Sequence, residues 1–193
     1  MSEILRGHCV DLLAAEVREF DFIATDPPYS FGGSGTEHAL SAAVAVGLRE
    51  AAKHLKRGRW MLVMSAASWR STAFMVEALR GIVEPIRIGT WCKPKVQTRT
   101  RTSGWKWASV NAIAFRRGKA ADVLCSEFLD HITCAPVKSG RRAELPAEVA
   151  RWVVSPFAVA GGLMLDPFAG SGRLLLAAEE AGMAAIGYET KGA

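Results

Sequence analysis

Short apolar runs alternate along the chain with longer segments in which apolar residues recur every three or four positions. The apolar runs predict strands at residues 4–10, 20–25, 60–65, 85–91, 110–115, 162–165 and 184–188. The longer segments predict helices at residues 38–54, 68–79, 146–154 and 172–181. Several of the strands are apolar at nearly every position, which is typical of a parallel sheet covered on both faces. The alternation predicts a doubly wound α/β fold with helices on both faces of a mostly parallel, seven-stranded sheet.

Length and composition fit a single globular domain. The chain has 193 residues, of which 50% are hydrophobic and 22% charged, and this is ordinary globular usage. It contains no internal repeat, low-complexity tract or convincing linker, so we expect one domain over residues 1–193. No apolar run approaches the roughly 18 residues of a membrane span. The first residues resemble no signal peptide, and we expect a cytoplasmic protein.

The cysteines indicate neither a disulfide framework nor a metal site. Cys9, Cys92, Cys125 and Cys134 include no CxxC pair, and in a cytosolic protein scattered cysteines are expected to be thiols. His131 lies near Cys134, but no second pair at ligand spacing accompanies them. We therefore expect no bound metal.

The net charge of +5 is concentrated in one part of the sequence. No acid occurs between Glu84 and Asp122, and the same window holds many basic residues. These basic residues are Arg87, Lys93, Lys95, Arg99, Arg101, Lys106, Arg116, Arg117 and Lys119. The window is either a footprint for a polyanion such as nucleic acid or a solvated basic face.

Two of the predicted strands end in Asp-Pro. FDFIATDPPY finishes at Asp26-Pro27-Pro28-Tyr29, and GGLMLDPFAGSG finishes at the segment 166–172. Ligands of open parallel sheets bind at the carboxyl ends of the strands, near the point where the strand order reverses. We therefore expect both motifs to line one crevice.

The second motif is typical of a nucleoside-cofactor site. Gly170 and Gly172 precede a predicted helix, and the next predicted strand is followed by Glu189. A glycine turn lets a ligand approach the backbone, and an acid after the next strand can accept hydrogen bonds from ribose hydroxyls. A dinucleotide site is disfavoured because Leu175 occupies the third glycine position of GxGxxG, and DPPY also argues against an NAD oxidoreductase.

With both motifs in view, the chain resembles the β group of DNA amino-methyltransferases. DPPY at residues 26–29 looks like the catalytic motif of these enzymes, and DPFAGSG at residues 166–172 looks like their cofactor motif. The order of the two motifs is that of the β group, and ELP at residues 144–146 precedes the second motif. The resemblance covers nearly the whole chain. It implies a Rossmann-like class I methyltransferase fold, S-adenosyl-L-methionine as cofactor and DNA as substrate, in a compact form like those of phages or their bacterial hosts.

The first motif suits methylation of an exocyclic amine. The nitrogen donates its lone pair into the base ring, so acceptors for its N–H groups are needed to localise that pair. Asp26 and the carbonyl of Pro27 are the expected acceptors, while proline adds no competing N–H. Tyr29 supplies a ring on which a base can stack. Because the amine is hidden in duplex DNA, the base must be flipped out of the helix. The implied catalytic residues are Asp26, Pro27, Pro28 and Tyr29.

The resemblance also implies a cofactor site. Its expected residues are His8, Asp11, Asp26, Asp166, Pro167, Phe168, Gly170, Ser171, Gly172 and Glu189. The family usually has an acid after the glycine of its first turn, where this chain has His8. Asp11 lies three residues further on, and whether it substitutes is left open.

A basic segment at about residues 93–106 is expected to hold DNA, largely through phosphates. The expected contacts are Lys93, Lys95, Arg99, Arg101, Trp105 and Lys106. A short segment at about residues 118–140 takes the place of the longer recognition insert of other members. Target choice is therefore expected to be loose or limited to a few base pairs.

Adenine N6 is the preferred target because DPPY accompanies adenine more often than cytosine in this family. Three alternatives stay open. The first is a cytosine N4 enzyme, and the second keeps the pocket but acts on RNA or on a protein side-chain amide. The third is a nucleic-acid-binding module that retains the fold but has lost the cofactor, and His8 motivates it.

Overall fold

Eight strands form one sheet in this computed structural model, which describes residues 2–28, 35–94, 108–121, 127–137 and 144–190, with only the backbone for residues 35–41. The strands are β1 (Ser2–Arg6), β2 (Phe20–Thr25), β3 (Leu55–Ala66), β4 (Glu84–Cys92), β5 (Ser109–Arg116), β6 (His131–Thr133), β7 (Leu163–Asp166) and β8 (Ala184–Glu189). Their order across the sheet is β1-β8-β7-β2-β3-β5-β4-β6. Of these eight described strands, only β5 runs antiparallel to its neighbours.

Within the described ranges, five helices cover the two faces of the sheet. They are α1 (Cys9–Ala14), α2 (Gly35–Lys53), α3 (Trp69–Ala78), α4 (Ala147–Val154) and α5 (Arg173–Glu180), and a 3₁₀ turn (Ser155–Phe157) follows α4. α4 and α5 pack with Phe22, Leu62 and Met164 on one face, and α1, α2 and α3 pack with Ile23, Val63 and other buried residues on the other. β2 is buried along its whole length because helices lie on both of its faces. The predicted α/β fold is confirmed.

The structure corrects the predicted start of the chain. The strand predicted at residues 4–10 ends at Arg6, and a helix begins at Cys9. Gly7 begins a turn after the strand, where a Cβ atom would lie 3.2 Å from the Leu12 side chain. Cys9 and Leu13, four residues apart, are both buried on one face of the new helix. The four-residue spacing of these two buried side chains therefore fits a helix at residues 9–14 and not a continued strand.

The predicted count of seven strands is also wrong. β6 adds an eighth strand, which pairs with the end of β4 through Thr90 and His131. It has only three residues, too few for alternation to be seen in the sequence. β3 also begins earlier than predicted, at Leu55. Among the helices of the described ranges, none has the length and apolar character needed to cross a membrane.

Candidate active site

The two Asp-Pro motifs meet at the centre of the carboxyl edge of the sheet. β2 leads to β3 on one side and β7 leads to β8 on the other, so the strand order reverses between β2 and β7. Doubly wound sheets bind their ligands at such a switch point. Thr25, buried at the end of β2, donates a hydrogen bond of 2.7 Å from Oγ1 to Oδ1 of Asp166, at the end of β7. This bond ties the two motifs together, and Asp26 is the next residue after Thr25.

The first motif projects from this edge. Asp26 is half-buried, Pro27 is buried and Pro28 is exposed. Pro167, the matching proline of the second motif, is buried. Tyr29 lies outside the described residues. The structure therefore places Asp26 beside the second motif, and that the two motifs line one ligand crevice stays a prediction.

Asp166 is surrounded by protein and is only 1% exposed. Its Oδ1 atom accepts a second hydrogen bond, of 3.1 Å, from the backbone N–H of Phe168. Burial raises the pKa of Asp166 to about 7, and the charges of Asp26 and Glu189 act in the same direction, while the two hydrogen bonds oppose them. Three acids share this edge, and one of them is largely neutral below pH 7.

The glycine turn after Asp166 leaves its backbone open. Gly170 and Gly172 have φ angles of +50° and +77°, which other residues rarely adopt, and Gly170 and Ser171 are exposed. The turn lies close to β8, where a Cβ atom on Gly187 would be 2.6 Å from the Cβ of Ala169. Glycine at position 187 is therefore what allows the turn to pack against the next strand.

Glu189 links the turn to the first strand of the sheet. Its Oε2 accepts a hydrogen bond of 2.7 Å from the Gly170 N–H, and its carbonyl accepts one of 3.0 Å from the Gly7 N–H. A carboxylate has about four lone-pair positions, so Glu189 can accept further hydrogen bonds. The glycine turn, Glu189 and the turn after β1 form one continuous rim.

His8 and Asp11 belong to this rim. Both are exposed, and the His8 carbonyl accepts the Asp11 N–H at 3.0 Å in the first turn of α1. Cys9 is buried beside them. Burial is the main cause that raises the pKa of the Cys9 thiol, and the charges of Asp11 and Glu189 raise it further. Asp11 and Glu189 therefore both lie near Cys9, on the side of the site where a nucleoside is expected.

Phe168 packs against α2. A Cβ atom on Gly47 would lie 2.8 Å from the Phe168 ring and 2.8 Å from the Cys9 sulfur. The ring is half-buried, so part of it stays accessible. Phe168 thus packs against α2 on one side, and the rest of its ring remains accessible to a ligand.

The basic window divides between the two edges of the sheet. Lys93 follows β4 at the carboxyl edge, and its N–H donates a hydrogen bond of 2.7 Å to the carbonyl of Ala108, just before β5. The segment between these residues therefore starts and ends at the edge that carries Asp26. Its expected DNA contacts other than Lys93 lie outside the described residues, namely Lys95, Arg99, Arg101, Trp105 and Lys106.

Two arginines near the C-terminal end of the basic window stabilise the fold. Arg116 lies over the Trp60 ring, 5.4 Å from its centroid, and donates a hydrogen bond of 2.8 Å to the Gly118 carbonyl. Arg117 donates to the carbonyls of Lys53 and Leu55. These arginines hold a turn at the opposite edge of the sheet. They are therefore poorly placed to contact a substrate of Asp26.

Two contributors escaped the sequence reasoning. Thr25 is one, and the only available signal was a small hydroxyl residue at the last position of an apolar strand. The other is an ion pair between Glu144 and Arg173, whose atoms approach to 2.6 Å and which ties the ELP segment to the first residue of α5. Such a pair spans distant parts of the sequence, so no local pattern predicts it.

A groove elsewhere on the molecule and possible metal sites were compared with this edge of the sheet. A groove of about 530 Å³ lies on the α4 face over β3, β5 and β4, and it is lined by Trp60, Trp152 and Phe157, among others, but by none of the three acids. In the described part of the chain, no group of three or more His, Cys, Asp or Glu residues could hold a metal ion.

The fold is similar to those of solved DNA methyltransferases. The M1.HpyAVI complex with S-adenosylmethionine is 21% identical, with a TM-score of 0.77 over 99% of this chain and 94% of that one. TTHA0409 from Thermus thermophilus, complexed with S-adenosyl-L-methionine, is 20% identical, with a TM-score of 0.75 over 98% and 90%. The cytosine-N4-specific PvuII DNA methyltransferase is 16% identical, with a TM-score of 0.78 over 98% and 82%. These likenesses show the α/β methyltransferase fold that the resemblance implied.

The sequence profile of the N6/N4 DNA methylase family matches residues 91–192, more than half of the chain. This chain belongs to that family of DNA methyltransferases. The matched range contains Asp166, the glycine turn and Glu189, and the DPPY motif precedes it. S-adenosyl-L-methionine is the cofactor of the family, as the sequence predicted. Comparison with curated protein sequences finds no significant match.

Proposed function

We propose that this protein transfers a methyl group from S-adenosyl-L-methionine to the exocyclic N6 atom of an adenine flipped out of duplex DNA. The hydrogen bond between Thr25 and Asp166 is the observation that carries the proposal. It fixes the amine-binding motif and the cofactor motif side by side at the switch point of the sheet. A reaction between two bound molecules needs such a fixed juxtaposition of their sites.

The residues around the glycine turn fit the cofactor. Gly170 and Ser171 offer an exposed backbone, and the half-buried Glu189 beside them has acceptor capacity for ribose hydroxyls. Asp11 and His8 line the far side of the same rim, and Phe168 has an accessible ring surface. When bound, S-adenosylmethionine supplies the electrophilic methyl group.

Asp26 and the residues that follow it act on the base. The Asp26 carboxylate and the Pro27 carbonyl accept the N–H groups of the amine, which localises the nitrogen lone pair. Asp26 then takes the proton that the amino group loses. Tyr29 stacks on the base, which is worth about 1–3 kcal/mol by analogy with single-strand binding. Pro28, exposed at the end of the turn, keeps it stiff.

DNA lies along the carboxyl edge of the sheet in this proposal. The segment from Lys93 to Ala108 begins and ends at that edge, and its lysines and arginines hold the phosphates. We also propose that the protein is a single domain with a short recognition segment at about residues 118–140. It would act in the cytoplasm of a bacterial or phage-infected cell. Such a protein would mark sites that are short or loosely defined.

Cytosine N4 is the second candidate target. The similarity to the cytosine-N4-specific PvuII enzyme favours it, and the amine of cytosine is activated by the same acceptors. Adenine is preferred here because DPPY, rather than a motif beginning with serine, occupies residues 26–29.

The function is tested by identifying the methylated nucleoside. The protein is incubated with S-adenosylmethionine carrying a labelled methyl group and with duplex DNA, single-stranded DNA or RNA, and the digested nucleosides are separated by mass spectrometry. N6-methyldeoxyadenosine from duplex DNA is the expected product. N4-methyldeoxycytidine as the product would show that the target base is cytosine and not adenine. Label found in RNA alone would show that the substrate is RNA and not DNA. No methylated nucleoside, beside an active control enzyme, would refute methyl transfer.

A further inference from the structure

Trp69 is the most exposed tryptophan among the described residues. Its relative exposure is 89%, whereas Trp91 is 6% exposed and both Trp60 and Trp152 are half-buried. Tryptophan side chains are highly buried on average. A single exposed apolar residue is common on protein surfaces, so exposure alone assigns no ligand to Trp69. The place of Trp69 beside the catalytic motif is what points to one.

Trp69 is the first residue of α3 and follows the end of β3 at the carboxyl edge of the sheet. β3 lies between β2 and β5. Thr25, the residue before Asp26, pairs with Val63, and β3 continues for three more residues to Ala66, about 10 Å of extended strand. The connection from β3 to α3 therefore borders the end of β2 on the side away from the cofactor motif.

Hydrogen bonds fix the backbone on both sides of Trp69. Oγ of Ser68 accepts the Ser71 N–H at 3.1 Å as the N-cap of α3, and the Ser68 carbonyl accepts the Thr72 N–H at 3.0 Å. Nδ2 of Asn111, on β5, donates to Oγ1 of Thr72 at 3.3 Å. Ser71 and Thr72 are buried against the sheet. The first turn of α3 is therefore anchored by its buried side, and Trp69 is left on the solvent side.

Positive charge accompanies Trp69 along this edge. Arg70, the next residue, is exposed. At the end of β4, Nζ of Lys93 lies 4.7 Å from the centroid of the Trp91 ring, and the basic segment begins there. The strand order is β2-β3-β5-β4. A polyanion that is held by the basic segment and reaches Asp26 therefore passes over the connection after β3, where Trp69 is exposed.

We propose that the indole of Trp69 stacks on a nucleobase of the DNA beside the flipped target. This inference rests on the proposed function, which brings DNA across this edge and flips a base towards Asp26. Flipping takes the target out of the base stack, and a neighbouring base face is then uncovered. An aromatic side chain stacks on any base, because every base has a flat π-face. Trp69 covers that face and lowers the cost of flipping.

The proposal predicts a loss of affinity that depends on bases and not on charge. In Trp69→Ala, the affinity for single-stranded DNA should fall about tenfold, within the range of one stack between a base and an aromatic ring. A strand of equal length built from abasic nucleotides should bind the wild type and the variant alike. Trp69→Phe keeps a ring and should retain most of the affinity. Val17→Ala is the matched control, because Val17 is 92% exposed and lies at the opposite edge, between α1 and β2.

Two readouts test the proposal. Fluorescence anisotropy with the base-bearing and the abasic strand gives the Kd values of the wild type and the three variants, and it needs no methyl transfer. Methylation of duplex DNA by the same proteins is the second readout, in which Trp69→Ala should raise the KM for DNA about tenfold at an unchanged Kd for S-adenosylmethionine. Thermal melting checks that each variant is folded, and Trp69→Gln replaces Trp69→Ala if that variant is not.

The outcomes either support or overturn the proposal. A loss in Trp69→Ala that is confined to the base-bearing strand, with Trp69→Phe and Val17→Ala close to the wild type, supports it. Unchanged affinity of Trp69→Ala for that strand overturns it, and so does an equal loss on the abasic strand. Unchanged affinity with a changed mass by light scattering also overturns it, and assigns Trp69 to a contact between copies of the chain.

The proposed function is judged separately by the methylated product. A base-dependent loss in Trp69→Ala, without any methylated nucleoside from the wild type, would keep Trp69 as a base contact and refute methyl transfer. A methylated product together with unchanged strand affinity in Trp69→Ala would overturn only the stacking of Trp69.

Discussion

Asp166 is the residue whose chemistry depends most on its surroundings. It is buried, its Oδ1 accepts two hydrogen bonds, and its pKa is raised to about 7. A raised pKa means that the folded protein binds a proton that the unfolded chain releases near pH 4. Stability from this group is therefore complete below about pH 4 and is lost as the pH rises to about 7, with a slope of at most about 1.4 kcal/mol per pH unit.

Asp166→Asn tests this account of the cofactor motif. The amide keeps an oxygen for the donors Thr25 and Phe168 and cannot ionise. We expect the free energy of unfolding of the wild type to fall between pH 5 and pH 7, while the variant loses this part of the pH dependence. Urea unfolding at several pH values measures both curves. Parallel curves would show that Asp166 does not titrate in this range.

Glu189 is the residue expected to hold the ribose of the cofactor. Glu189→Gln keeps one oxygen for the Gly170 N–H but loses a charged acceptor. Hydrogen bonds to charged groups contribute about 1.5–3 kcal/mol, so we expect the Kd for S-adenosylmethionine to rise by about tenfold or more. Calorimetry measures it, with Glu180→Gln, an exposed acid at the end of α5, as the control. An unchanged Kd would remove Glu189 from the cofactor site.

At the scale of elements, β7, the glycine turn, α5 and β8 work as one unit. The turn can approach β8 only because position 187 has no side chain, since a Cβ atom there would lie 2.7 Å from Leu175 as well as 2.6 Å from Ala169. The ion pair between Glu144 and Arg173 ties the same unit to the ELP segment. The position of the turn is therefore set by packing around it.

Gly187→Ala is expected to displace the turn and weaken cofactor binding. Extra atoms in a well-packed place usually cost about 1–3 kcal/mol, so both the melting temperature and the affinity for S-adenosylmethionine should fall. Ala184→Ser, an exposed change on the same strand, is the control. If Gly187→Ala bound the cofactor as tightly as the wild type, the turn would not depend on its contact with β8.

Sequence patterns predicted the elements that carry the site better than those at the margins. β2 was predicted at residues 20–25 because helices cover both faces, so that every position is buried and most positions are apolar. α1 was missed because the strand predicted at residues 4–10 was carried past the turn at Gly7 into the first two residues of the helix. β6 was missed because three residues carry no periodicity. Local hydrophobic patterns therefore predict which residues are buried, but they do not predict where a strand ends and a turn begins.

The site itself was predicted as two motifs, without the contact between them. DPPY and DPFAGSG were recognisable because each is a short continuous motif that directly follows an apolar strand. Thr25 and Asp166 are far apart in the sequence, and their hydrogen bond exists only because β2 and β7 are neighbours in the sheet. The place of Lys93 against Trp91 depends in the same way on the end of β4. Such contacts follow from strand order, which the sequence alone did not reveal.

At the scale of the molecule, positive charge is divided between two edges of the sheet. The segment after Lys93 starts at the edge of Asp26, whereas Lys53 and Lys119 are exposed near the turns at the opposite edge. We expect the double variant Lys95→Gln/Lys106→Gln to bind duplex DNA more weakly, with a salt dependence reduced by about one for each lost phosphate contact. Fluorescence anisotropy at several salt concentrations measures this.

Lys53→Gln/Lys119→Gln is the matched control for that experiment, because it removes the same charge from the opposite edge. Its affinity should stay close to that of the wild type. Equal losses in the two double variants would mean that DNA is held by net charge, with no preferred edge.

The whole account depends on Asp26 acting on a base beside the bound cofactor. Its most direct test is single-turnover methyl transfer to duplex DNA by the wild type and by Asp26→Asn, with the cofactor Kd measured for both. The account predicts N6-methyldeoxyadenosine from the wild type and a rate at least about a hundredfold lower in the variant, with a cofactor Kd that changes far less than the rate. An Asp26→Asn variant that methylates at the wild-type rate would contradict it.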